Sequence, residues 1–85
     1  MNEILNEIFE VNFVKAMTLP TENQVKRIIK ELDIMAEDLN EEHIIFEYYS
    51  NKDNEWILNV DEDSKEKFEK RIDFILDLIK KSGGF

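Results

Sequence analysis

His43 is the only histidine in the chain and there is no cysteine, so one imidazole is all that remains for relaying protons near neutral pH or holding a soft metal. A Ser-His-Asp relay or a histidine-based metal site has no second group to draw on, and His43 reads as a lead-in to a strand. What the sequence offers in quantity is carboxylate. Asn51, Asp53 and Glu55 have the i, i+2, i+4 spacing of the first three calcium-loop ligands, but Trp56 stands where the sixth position requires glycine. Pairs of carboxylates for glycoside or phosphate hydrolysis abound, yet no pattern marks a cleft that would raise the pKa of one of them. Gly83 and Gly84, the only glycines, lie at the C-terminus, which leaves no glycine-rich phosphate loop. The expectation is a non-catalytic protein without metal or cofactor.

Distribution of the charge is more informative than its total. The 85 residues carry a formal charge of −9, from 20 acidic and 11 basic side chains. Residues 31–66 hold thirteen of those acids against only Lys52 and Lys65, a net of −11, and the rest of the chain nets +2. A field of one sign is expected wherever this segment lies, at a cost in self-repulsion. Asp33, Glu37 and Glu41 repeat every four residues with Asp38 and Glu42 as a second row, about 6 Å apart if helical. Glu47, Asp53, Glu55, Asp61, Glu62 and Asp63 complete the set. A charge run is ordinarily a solvated face; here it is interleaved with aromatics, and Tyr49, together with Ile45 and Ile57, falls on the side of a hairpin that has too few strands to be covered twice.

The elements that must position these groups follow from periodicity. Ile4, Leu5, Ile8 and Val11 have helical spacing, and the i, i+4 series Phe9, Phe13, Met17 extends a helix to Met17. Phe9, Val11 and Phe13 also alternate with polar residues, so a strand over 9–17 is the alternative. Thr21-Glu22-Asn23-Gln24 is a capping box that opens a helix whose apolar residues are Val25, Ile28, Ile29, Leu32, Met35, Ala36 and Leu39, with its stop near Leu39 or Asn40. From His43 the period becomes two. Ile44, Phe46 and Tyr48 face one way, a polar turn occupies 50–54, and Trp56, Leu58 and Val60 alternate again, which makes a hairpin with Tyr48 and Trp56 on its core side. Asp63-Ser64-Lys65-Glu66 predicts a second capping box, and the last helix runs to Lys81 with Phe68, Ile72, Ile75, Leu76 and Ile79 as its main stripe. Phe74 and Leu78 lie off that stripe, where the first helix would cover them or where a partner or second copy would dock. The fold class is α+β in one domain over 1–85, in the order α-α-β-β-α with helices on an antiparallel hairpin, or βαββα with a three-stranded sheet if the first segment is a strand.

With 42% hydrophobic residues and one proline the composition is that of a packed globule. No apolar run approaches the ~20 residues of a membrane span, and no signal peptide is visible, so the expected location is the cytoplasm. The expected function is inhibition of a basic protein partner, itself nucleic-acid-binding, through the acidic segment; direct nucleic-acid binding is disfavoured for want of a basic patch. In type, though in no motif, this profile is similar to that of small phage-encoded inhibitors of host defence, including anti-CRISPR proteins and DNA mimics. An antitoxin or immunity protein would present the same surface to a different target. A structural or regulatory homo-oligomer, a homodimer in its simplest form, would use Phe74 and Leu78 instead.

Overall fold

The computed structural model describes residues 12–85. Strand β1 (Phe13–Leu19) leads into helix α1 (Glu22–Asp38), then come β2 (Phe46–Ser50), β3 (Trp56–Asp61), a 3-10 turn (Glu62–Ser64) and helix α2 (Lys65–Lys81). The sheet is antiparallel with order β1-β3-β2. The fold is therefore α+β in the order βαββα, and the helix expected to reach Met17 is replaced over 13–17 by an edge strand. The physical reason lies in a bulge. Lys15 pairs with Asn59 and Met17 with Leu58, so Ala16 is an extra residue on β1. The insertion reverses the alternation, and Val14, Met17 and Leu19 all pair with core-facing residues of β3 (Val60, Leu58 and Trp56). Spacing of three and then two blurs the strand period and resembles a helical one. The helical pattern expected over residues 2–11 lies outside the described residues.

Helix α1 begins as its sequence dictates. The Thr21 hydroxyl accepts from the Gln24 amide and the Gln24 side chain accepts from the Thr21 amide, a reciprocal cap. It ends in a Schellman arrangement: Asn40 has φ 54°, its N–H donates to the Glu37 carbonyl at 3.1 Å, and the Glu41 N–H donates to the Ala36 carbonyl at 2.9 Å. The start of α2 departs from expectation. Asp63, the cap residue of the expected box, lies inside the 3-10 turn, and Ser64, which precedes the helix in its place, has helical backbone angles and makes no side-chain capping bond, because the turn runs directly into the helix and leaves no extended cap residue.

Both helices bury one stripe on the same face of the sheet. Val25, Ile28 and Leu32 of α1 and Phe68, Ile75 and Ile79 of α2 close over Leu19, Leu58 and Val60, with Ile44 joining from the loop before β2. Cross-strand pairing assigns the opposite face to Lys15, Asn59 and Glu47 in one row and to Thr18, Ile57 and Tyr49 in the next. No described helix packs there. Neither helix is long and apolar enough to cross a membrane.

Candidate protein-binding face

On the face of the sheet that no described helix covers, the helix-free face, Ile57, Asn59 and the Thr18 hydroxyl are buried while other side chains are open. Ile45 and Tyr49 are each 49% exposed, while Ile57, paired between Thr18 and Tyr49 in the central strand, is buried. Glu47 lies between Ile45 and Tyr49 along the chain, and its carboxylate accepts from the Asn59 side-chain amide at 3.0 Å. That bond holds one charge in place beside the two apolar side chains. At the lower end the Asp61 N–H donates to the Ile45 carbonyl at 3.0 Å, which ties the loop after α1 to the end of β3. In chain order Glu42 lies in the loop that leads to Ile45, and Asp61, Glu62 and Asp63 follow one another from the end of β3 into the 3-10 turn ahead of α2. Asp and Glu ahead of α2 also suit the positive end of its dipole.

The remaining acids of the segment are elsewhere, so continuity in sequence does not become one surface in space. Asp53 and Glu55 belong to the hairpin turn, at the far end of β2, a strand of five residues and roughly 17 Å. Their i, i+2, i+4 spacing with Asn51 has a local explanation: Asn51 Oδ1 accepts from the backbone N–H of both Asp53 and Glu55 at 3.0 Å, and Asn54 takes φ 62°. Asp33, Glu37 and Asp38 stay on α1. Asp33 contacts His43 Nδ1 at 3.1 Å, and Asp33 and Glu37 line a groove of about 340 Å³ with Ile29, Ile34, Tyr48 and the lysines Lys26 and Lys30. The aromatic residue beside this helical row is Tyr48, 37% exposed on the edge strand, with its ring 6.0 Å from that of part-buried Trp56. Tyr49 points to the opposite side of the sheet.

Glu41 leaves the row altogether. The helix stops at Asp38, the left-handed Asn40 redirects the chain, and the Glu41 carboxylate pairs with Arg71 of α2, a residue only 3% exposed. This ion pair escapes a reading based on charge alone. Its signal was present, since Arg71 sits between Phe68 and Ile75 on the stripe that α2 turns inward, and a guanidinium there requires a carboxylate from another element.

Phe74 and Leu78 are 60% and 40% exposed, and with Ile34 and Met35 they border a shallow depression of about 100 Å³ between the helices. Cover from the first helix, expected over residues 2–17, falls mostly outside the described residues. No family model, curated protein or solved structure matches the chain.

Proposed function

We propose that this chain binds and blocks a basic protein, of the kind that itself holds nucleic acid, through the helix-free face of its sheet and the acidic end beside it. The observation that carries the reading is the half-exposure of Ile45 and Tyr49 around a fixed Glu47, on the face whose end is tied by the bond from the Asp61 N–H to the Ile45 carbonyl. Apolar and aromatic side chains within a charged rim provide both parts of a typical interface. The aromatic anchor slows dissociation once desolvated, and the rim steers an oppositely charged partner. Asp33, Glu37 and Asp38 add to the long-range field from α1 without touching this face. Glu41 is withdrawn from the contact set, because its carboxylate is engaged by Arg71.

The experiment is binding kinetics against a basic partner isolated from the native host, at 0.1 M and 1 M salt, where the Debye length falls from about 10 to about 3 Å. Glu42→Lys with Glu47→Lys should slow association at low salt, and the difference from the parent should shrink at high salt. Tyr49→Ala should raise the dissociation rate by about thirtyfold at both salts, the loss typical of a buried anchor. Unchanged kinetics in both variants would leave the face as ordinary solvated surface and remove the reading.

A second reading rests on a separate observation. Ile34, Phe74 and Leu78 form an apolar strip on the helical layer, suited to a second copy of the chain. Sedimentation of the free protein distinguishes the two, since a dimer that Phe74→Ser dissociates would move the interface to the helices.

A further inference from the structure

We propose that the cavity where the C-terminal end of α1 meets the first turns of α2 binds a small organic anion, a carboxylate on a short apolar body. The cavity measures about 330 Å³ and is lined by Met35, Leu39, Glu41, Lys67, Lys70 and Arg71. Lys67, Lys70 and Arg71 stand at i, i+3 and i+4 and so share one face of α2. Against Glu41 alone they make this lining cationic, in a chain whose total charge is −9. Lys67 and Lys70 are exposed, and Lys70 reaches Glu66 only at 3.7 Å.

Arg71 supplies the independent observation. Its guanidinium is almost fully buried, Nη2 donates to Glu41, and Nη1 is enclosed with no hydrogen-bond partner among the described residues. Buried N–H groups are nearly always satisfied, and a guanidinium presents five donors in a fork suited to carboxylate oxygens. Glu41 takes one arm of that fork; the other has no acceptor among the described residues. Met35 and half-exposed Leu39 form an apolar wall, to which the methylene stems of the lysines add. This wall favours a carboxylate with an alkyl body over a bare inorganic ion. Because the chain as a whole repels anions, recognition must come from contact within the cavity. The site is independent of the helix-free face, and either could be lost without the other.

The test is a titration of the full-length, nitrogen-15-labelled protein with sodium hexanoate and, separately, with inorganic phosphate, at constant ionic strength and pH 7. Hexanoate should produce saturable shifts at the amides of Leu39, Lys67, Lys70 and Arg71, and phosphate should bind more weakly. The double variant Lys67→Gln/Lys70→Gln, in which both altered side chains are exposed and the spectrum reports an intact fold, should weaken hexanoate binding by about tenfold. Shifts that grow linearly without saturation, or binding unchanged in the double variant, would overturn the site. Phosphate binding as tightly as hexanoate would overturn the requirement for an apolar body.

Discussion

Leu58 and Ile57 are neighbours in the same strand, and both are buried, but on opposite faces of the sheet. Around Leu58 two helices close completely, and the surrounding side chains are accounted for by packing. Around Ile57 the neighbours are Thr18 and Tyr49, and Tyr49 and nearby Ile45 remain half exposed. Charge does not separate the two regions. Glu41 belongs with the packed side through Arg71, whereas Glu47 belongs with the helix-free side through Asn59. The environment of an acidic residue in this chain follows from its partner and not from its place in the charge run.

Truncating one residue on each face should separate the two most clearly. Leu58→Ala should lower unfolding stability by about 2–5 kcal/mol in urea titration, since a fully enclosed side chain leaves a cavity. Tyr49→Ala should change it by no more than about 0.5 kcal/mol. A comparable loss in both variants would mean that the helix-free face is packed in solution and is not a surface.

A second pair sharpens the distinction between acids. Glu41→Ala strands the buried guanidinium of Arg71 and should cost about 2 kcal/mol, less than for a fully buried pair because the Glu41 side chain is 45% exposed. Glu37→Ala, on the exposed side of α1, should stay within about 0.5 kcal/mol of the parent. Equal costs, measured by the same denaturation, would place Glu41 back among the surface charges.

The smallest effects compare the two helix starts. Thr21→Ala removes a reciprocal cap and should destabilise by about 1 kcal/mol, while Ser64→Ala, which removes no capping bond, should cost less than half as much. A larger loss at Ser64, read as a lower melting temperature, would show that the 3-10 turn depends on its hydroxyl.

Much of this architecture was legible in the chain by itself. The apolar stripe from Val25 to Ala36, the Thr21 cap, the left-handed stop at Asn40, the hairpin and the extent of the last helix are local in origin: each depends on residues within a few positions of one another. Two features were hidden by local rules. The bulge at Ala16 shifted β1 out of strict alternation, so its strand character becomes plain only when β3 lies beside it. The 3-10 turn at Glu62–Ser64 displaced the second capping box, because the exit of β3 determines how α2 begins.

Composition and sequence together determined an acidic, cysteine-free α+β domain with its negative charge concentrated in residues 31–66. How that charge is divided depends on the packing of the elements against one another. Periodicity places a side chain on a face of its own element, but which face meets which depends on contacts between residues far apart in the chain. Glu41 and Arg71 are thirty positions apart, and Glu47 and Asn59 twelve. Those two contacts separate a carboxylate that stabilises the junction of the helices from one that stands beside Tyr49 on the helix-free face.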